Sequence, residues 1–292
     1  MERRTFIQHS CMAVAGAPLF WQLMKQHQQV EDIGIQLYTL RDDMKNDAAG
    51  TLKKLAQIGY KQIEAAGYYE GTFYGMAPKA FKEVLDGEGL GVLSGHTQTG
   101  RHQPEQKGTM INDWEAAVAD AATIGQKYIV LAYIHDFERQ KIDNYKQLAE
   151  LCNKCGEVCK KYGIQLAYHN HDFEFLPLDE QIPYDVLLKE TDVELMKMEL
   201  DLYWIRKAGK DALSYFKQHS GRFPLWHVKD MDATDEQYFT EVGNGVIDWP
   251  KLFQAAETAG MKHFYVEQDH CRNHQPLKSV EISYNYLNKM KY

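Results

Sequence analysis

The feature that most constrains the fold of this chain is the alternation of short apolar runs with longer stretches of helical periodicity. Eight runs of strand length occur between positions 34 and 266, and a helix-like stretch follows each of them. This order predicts parallel strands joined by helices. Glycine stands just before five of the runs, where the left-handed residue that ends a helix is expected: Gly59, Gly89, Gly125, Gly163 and Gly260.

Eight strand–helix pairs in roughly 260 residues match the size of a (β/α)₈ TIM barrel. We therefore predict an α/β fold with one barrel domain over residues 31–292. The alternative is an open doubly wound sheet, which normally carries a glycine-rich phosphate loop after its first strand; here the segment from Tyr38 to Asp43 contains no glycine. The helices after strands six and seven are predicted to begin near Asp211 and Trp249. The predicted strands are Gly34–Tyr38, Gln62–Ala65, Leu90–Ser94, Lys127–Ala132, Ile164–Tyr168, Leu195–Leu200, Pro224–Val228 and His263–Val266.

Charge and hydropathy argue against two classes of partner. The 292 residues carry a net charge of -8, which argues against a nucleic-acid surface. No apolar segment approaches the roughly 20 residues that span a bilayer. We therefore expect neither nucleic-acid binding nor a membrane span.

The N-terminus resembles an export signal of the twin-arginine type. Arg3 and Arg4 precede an apolar run with small residues from Cys11 to Phe20. We predict that residues 1–30 are a signal and linker and that the protein is exported to the periplasm. The alternative is a cytoplasmic protein with an N-terminal helix.

The cysteines do not form the pattern of a disulfide framework. Cys152, Cys155 and Cys159 lie in a stretch of helical periodicity at spacings of three and four, which puts them on one helix face. We interpret them as the half-buried face of a helix.

Polar residues collect where the predicted strands end. In a barrel these ends face one mouth, and chemistry is located there. Because a histidine or carboxylate recurs at nearly every strand end, we predict an active site in the mouth. The polar residues at the strand ends are Gln36, Tyr38, Glu64, His96, Tyr133, His135, His169, His171, Asp201, His227, Lys229 and Glu267. We assign substrate binding to Gln36, Tyr38, Glu64, His96 and Asn170.

Three of these residues form a metal-ligand pattern. Asp201, His227 and Glu267 end successive strands, and one imidazole with two carboxylates suits Mn²⁺, Mg²⁺, Co²⁺ or Zn²⁺. A fourth ligand is expected after strand five, where histidines and a glutamate are in range: His169, His171 and Glu174. Glu199, two residues before Asp201, is interpreted as a charge that pairs with Lys197.

From about Ile33 to Tyr292 the chain resembles the sugar phosphate isomerase/epimerase superfamily, the xylose isomerase-like barrels. The resemblance implies one divalent ion on Asp201, His227 and Glu267. It also implies a glutamate at the end of strand five, where this chain has His169. We assign Glu174 as the replacement ligand, with His169 itself as the alternative. The resemblance is carried by Ile35–Arg41, Gly95–His96, Tyr168–Phe175, Glu199–Trp204, Trp226–Asp230, Gly243–Gly245, Ile247–Trp249 and Val266–Gln268.

The resemblance implies chemistry on a sugar through an enediolate. The first hypothesis is an isomerase or epimerase that acts on a non-phosphorylated keto sugar. The second is a lyase or hydratase that performs β-elimination on a 3-keto-glycoside or related oxidised sugar. It is favoured by the histidine on strand five and by export, since phosphorylated sugars are cytoplasmic. The third is a sugar-binding barrel without turnover, and a homo-oligomer is left open. Catalytic roles are assigned to His169, His171, Lys229 and Glu267.

Overall fold

Eight parallel strands close into a barrel in which each strand pairs with its neighbours in the sequence, and the last strand pairs with the first. The computed structural model describes residues 29–292, so the predicted export signal lies outside the described residues except at its final positions. The predicted fold is confirmed. The strands are β1 Gly34–Gln36, β2 Gln62–Ala65, β3 Gly91–Thr97, β4 Tyr128–Leu131, β5 Gln165–His169, β6 Met196–Asp201, β7 Leu225–Val228 and β8 His263–Val266.

The connections between the strands are mostly helical. The stretch predicted as one helix from Trp249 divides into two, and a short helix that follows β6 directly was not predicted. The helices are α1 Arg41–Ile58, α2 Pro78–Glu88, α3 Trp114–Ile124, α4 Ile142–Lys161, α5 Pro183–Glu190, α6 Leu202–Lys207, α7 Ala212–Gln218, α8 Trp249–Phe253, α9 Ala256–Ala259 and α10 Pro276–Leu287.

The glycines before the strands end helices as predicted, and all five have positive φ. Gly260 has φ 80° and caps α9. A Cβ atom there would lie 2.7 Å from the Cα atom of Gly221, so both the conformation and the space require glycine. The chain can therefore turn tightly from α9 into β8. Glu267, one of the predicted site residues, directly follows β8.

Apolar side chains fill the space between the barrel and the helices. Trp226 on β7 stacks on Phe216 of α7 with ring centroids 5.0 Å apart. The three cysteines of α4 are buried on one face, which confirms the predicted helix face. Burial raises the pKa of Cys155 and of Cys159 to about 12, so these side chains are thiols that pack as small apolar groups.

Two hairpins extend the loops at the mouth of the barrel. One pairs Tyr68–Tyr69 with Thr72–Phe73 after β2, and the other pairs Asp230–Met231 with Phe239–Thr240 after β7. The Asp230 carboxylate fixes the second loop by accepting hydrogen bonds at 2.9 Å from the Gly243 backbone N–H and 2.7 Å from the Trp249 indole. Within residues 29–292, no helix combines the length and apolar character needed to cross a bilayer.

Candidate active site

The ends of β5 to β8 bring four buried side chains together. His169, Asp201 and His227 are on β5, β6 and β7, and Glu267 follows β8 directly. Asp201 and His227 lie side by side in the register of β6 and β7. One ligand atom of each of the four residues lies within 4.8 Å of the others, so the group could hold a metal ion. We call these four residues the ligand group.

A second group surrounds the other nitrogen of His227. Nε2 of His227 lies 2.7 Å from Glu64 Oε2 and 3.1 Å from Glu199 Oε2. His96 Nε2 lies 3.2 Å from Glu64 and 3.3 Å from Glu199. Burial alone would lower the pKa of His96, but the Glu64 and Glu199 carboxylates raise it to about 9. Glu199 therefore faces two imidazoles instead of the Lys197 side chain expected from the sequence.

Hydrogen-bond chemistry distinguishes the two groups. A carboxylate only accepts hydrogen bonds, and both ring nitrogens of His227 face one. We assign the proton of a neutral His227 to Nε2, whose contact with Glu64 at 2.7 Å is shorter than the contact of Nδ1 with Glu267. The Nδ1 atom of His227 then faces Glu267 Oε2 at 3.0 Å. Burial lowers the pKa of His227, but Glu199 and Glu267 outweigh it and raise the pKa well above its usual value, so the surrounding carboxylates favour a positive charge at this imidazole. Metal-binding histidines commonly donate their second N–H to a carboxylate, as His227 does to Glu64.

His169 resembles His227 in that one ring nitrogen donates a hydrogen bond and the other faces the ligand group. Its Nδ1 atom lies 3.2 Å from the Ala132 carbonyl oxygen, which only accepts, so Nδ1 carries the proton. The Nε2 lone pair is thereby directed at Asp201 Oδ2, 3.3 Å away. Two imidazole lone pairs and two carboxylates converge, a donor set that fits the implied divalent ion.

Glu174, assigned as a ligand from the sequence, lies outside the ligand group. It is fully buried in the short 3₁₀ turn Phe173–Phe175. One carboxylate oxygen accepts a hydrogen bond from the Tyr168 hydroxyl at 2.6 Å, and the other accepts from the His171 backbone at 2.8 Å. Both oxygens are thus engaged in fixing the turn after β5. Of the two alternatives that the sequence left open, the geometry favours His169.

Lys229 supplies a positive charge to the ligand group. Its Nζ atom is buried and lies 3.0 Å from Asp201 Oδ2, 2.7 Å from Glu267 Oε2 and 2.6 Å from Asp269 Oδ2. Burial lowers the pKa of Lys229, but Asp201 and Asp269 raise it well above its ordinary value. Lys229 is therefore an ammonium group whose N–H groups donate hydrogen bonds to the carboxylates of the ligand group.

His171 and Trp204 present unpaired nitrogen atoms beside the same group. His171 Nδ1 and Trp204 Nε1 are buried and have no hydrogen-bond partner among residues 29–292. Their rings lie 5.4 Å apart, and the His171 ring is 5.0 Å from that of His169. Burial and then the charges of His169 and Lys229 lower the pKa of His171 well below its usual value, so its imidazole is neutral.

Sequence reasoning gave Trp204 no role. The signal that could have found it is the helix cap: Asp201 accepts hydrogen bonds from the backbone N–H groups of Tyr203 and Trp204, both at 2.9 Å. This cap fixes the first turn of α6 directly against the ligand group.

Three of the residues predicted to bind substrate have polar groups that bond to other residues of the protein. Gln36, Glu64 and Asn170 are fully buried. Gln36 donates to Glu64 at 2.8 Å, and its amide oxygen accepts from the Tyr38 backbone at 2.9 Å. Asn170 accepts from the Asp201 backbone N–H at 2.9 Å. Their polar groups are used within the protein, so they position other residues.

The other two predicted substrate-binding residues reach solvent. Tyr38 is 44% exposed, and the Arg41 guanidinium lies 4.4 Å from the centre of its ring. The His96 side chain is 13% exposed. Both residues border the open mouth and are accessible to a ligand.

Comparison with known proteins places the chain in a family. A family model described as a xylose isomerase-like TIM barrel matches residues 52–290. The inosose dehydratase of Geobacillus thermodenitrificans is 27% identical over 146 residues, which cover 44% of this chain and 48% of that protein. The chain thus matches about half the length of this curated relative. The inosose dehydratase of Lacticaseibacillus casei is 23% identical over 253 residues, which cover 75% of this chain and 81% of that protein.

A solved structure is similar over most of the chain. The crystal structure of a sugar phosphate isomerase/epimerase from Parabacteroides distasonis superposes with a TM-score of 0.76 at 26% sequence identity. The match covers 89% of this chain and 94% of the other.

Proposed function

Because the chain belongs to the xylose isomerase-like TIM barrel family, we propose that it is a metal-dependent lyase that eliminates a β-substituent from a keto sugar or keto-polyol. The relatives named inosose dehydratase support elimination over the isomerase or epimerase activity that the sequence favoured. The proposed metal site is His169, Asp201, His227 and Glu267.

The observation that carries the proposal is the unlike pair of groups beside the ligand group. Lys229 offers an ammonium group, and His171 offers a neutral imidazole with an unpaired nitrogen. An epimerase needs matched bases on the two faces of its substrate, and a glutamate on strand five would supply one of them. Here that position is His169, which faces Asp201. A base and an unlike acid suit removal of a proton and departure of a group.

The roles follow from these positions. His171 takes the proton from the carbon next to the ketone. The electron pair of that C–H bond forms a carbon–carbon double bond as the C–O bond at the β-carbon breaks. Lys229 donates a proton to the departing oxygen, so the products are an unsaturated ketone and an alcohol or water. The chemistry that a divalent ion supplies here is polarisation of the ketone.

A second candidate is an isomerase or epimerase, favoured by the similarity to the Parabacteroides structure. It shares the first proton transfer but returns a proton to carbon. The two candidates therefore differ in what happens at the β-carbon, and the products separate them.

The test is incubation of the metal-loaded protein with a keto-inositol and with 3-keto-glucosides in deuterated water. The lyase should release an unsaturated ketone with strong ultraviolet absorbance. Deuterium incorporation next to the carbonyl without an unsaturated product would instead support the isomerase or epimerase. Replacement of the proposed base, His171→Ala, should lower the rate roughly 10²–10⁴-fold. The control is His219→Ala, because His219 lies between α7 and β7 at the opposite end of the barrel.

A further inference from the structure

A cleft leads away from the ligand group across the ends of β1 to β4. Its volume is about 290 Å³, close to the lower end of the range for small-molecule sites. His96 lines its inner end, and Tyr133 and His135 line its outer end. None of the residues given a role in the elimination above lines this cleft.

One lining residue of the cleft, His96, lies beside the ligand group. The ring of His96 lies 5.7 Å from that of His169 and 5.5 Å from that of His227. The ligand group is built from β5 to β8, whereas the cleft is built from the opposite half of the barrel. A substrate whose ketone lies at the ligand group would therefore extend its other end into the cleft.

The lining of the cleft is polar. It contains no lysine, arginine, aspartate or glutamate, and the Glu64 and Glu199 carboxylates oppose the positive charge of its His96, so it does not suit a phosphate or an ammonium group. The side-chain amides of Gln98 and Gln106 make no hydrogen bond to another residue within 29–292, and both residues line the cleft. Free amides beside aromatic rings match a neutral group with many hydroxyls and apolar ring faces.

Tyr133 connects the cleft with the proposed base. It is 39% exposed, and its ring meets His135 at 5.3 Å and His171 at 5.2 Å, both nearly perpendicular. These edge contacts fix the ring of Tyr133 between the cleft and His171. A ligand in the cleft that packs against Tyr133 is thus positioned relative to the group that removes the proton.

We infer that the cleft binds the group that departs in the elimination, and that this group is a neutral sugar ring. The substrate class is then a keto-glycoside with a sugar as its second unit, in place of a free monocyclic keto-polyol. The inference rests on the proposed function for its chemistry, but the cleft can be tested separately by binding.

The kinetic test compares two substrates, 3-keto-cellobiose and methyl 3-keto-β-glucoside, on the metal-loaded full chain. Tyr133→Ala should raise KM for the disaccharide by about tenfold more than KM for the methyl glycoside, because only the disaccharide has a second ring that can pack against Tyr133. Tyr133→Phe keeps the ring and should retain the preference of the wild type for the disaccharide. The matched control is Tyr162→Ala, because Tyr162 is 38% exposed and follows α4 at the other end of the barrel. Equal effects on both substrates, or preference of the wild type for the methyl glycoside, would overturn the inference.

The binding test does not need turnover. Calorimetry should find that cellobiose binds the metal-loaded protein more tightly than methyl β-glucoside and that Tyr133→Ala removes the difference. If no keto sugar reacts but this difference is found, the proposed function fails and the sugar site in the cleft stands. If the two probes bind equally in the wild type, the cleft assignment fails, whatever the activity.

Discussion

At the scale of residues, the histidine at the end of β5 sets the charge of the proposed metal site. Asp201 and Glu267 contribute two negative charges, and His169 and His227 contribute neutral nitrogen donors. A divalent ion would be neutralised by this set, whereas a glutamate in place of His169 would leave a net negative charge. With His169 the ion therefore polarises a carbonyl group more strongly than it would with a glutamate at this position.

Loss of a ligand should appear as loss of metal. His169→Ala should reduce the affinity for Zn²⁺ or Mn²⁺ by more than the roughly 10–100-fold that removal of a supporting partner causes. Glu174→Ala should retain the metal, because both Glu174 oxygens bond to Tyr168 and His171. Elemental analysis and metal titration of the folded variants measure this. Loss of metal from Glu174→Ala with retention in His169→Ala would reverse the assignment.

Loss of Glu64, the hydrogen-bond partner of His227, should also weaken metal binding. Glu64 holds His227 Nε2 at 2.7 Å, so Glu64→Gln should weaken metal binding by about 10–100-fold. Glu241→Gln is a control with an equally buried glutamate, since Glu241 bonds to Ser279 and His274 away from the ligand group. Equal metal affinities in the two variants would remove Glu64 from its proposed role.

At the scale of elements, the turn after β5 depends on a carboxylate held in an apolar surrounding. Burial raises the pKa of Glu174 to about 7 from an ordinary value of 4.5. Between these values the folded state retains a proton that the unfolded state has released, so stability falls as pH rises through this window. The turn is thus most stable when Glu174 is protonated.

This element should make folding stability depend on pH in a recognisable way. Ionisation of Glu174 should lower the free energy of unfolding by roughly 1 kcal/mol between pH 6 and pH 8. In Glu174→Gln the side chain at position 174 is neutral at both pH values. This variant should therefore lack this part of the decrease in the free energy of unfolding. Denaturant unfolding at both pH values measures it, with the exposed Glu194→Gln as a control that keeps the wild-type slope. A slope in Glu174→Gln equal to that of the wild type would contradict the prediction.

Elements with a clear period were predictable from the sequence, and elements defined by a single cap were not. The strand pattern located all eight barrel strands, and His263–Val266 agrees to the residue. Helix α6 has only six residues and depends on the Asp201 cap, so it carries too little periodicity to detect. The choice between Glu174 and His169 depends on the 3₁₀ turn after β5, whose direction the sequence pattern does not specify.

At the scale of the whole molecule, the barrel gathers acidic side chains that repel one another. Glu64, Glu199, Asp201 and Glu267 are all buried around the strand ends. Their mutual repulsion is opposed in the structure by Lys229 and the imidazoles. A bound divalent ion would add positive charge at this point, so metal binding should stabilise the entire barrel.

Metal should therefore raise the melting temperature of the metal-free protein. At an ion concentration of 100 Kd the stabilisation is about 2.7 kcal/mol, which corresponds to a rise of roughly 4–5 °C for a chain of this size. Chelator should reverse the rise, and His227→Ala should not respond to the ion. An unchanged melting temperature in the wild type, with no metal detected in the protein, would exclude the site.

His227 connects the two halves of the mouth, so ligand binding in one half can change ligand affinity in the other. One nitrogen faces the ligand group, and the other bonds to Glu64, which also contacts His96 at the inner end of the cleft. A sugar that alters the hydrogen bonds of His96 therefore alters the support of His227. By linkage, whatever factor the sugar applies to the affinity for the ion, the ion applies to the affinity for the sugar. The change in affinity is therefore the same whichever of the two ligands binds first.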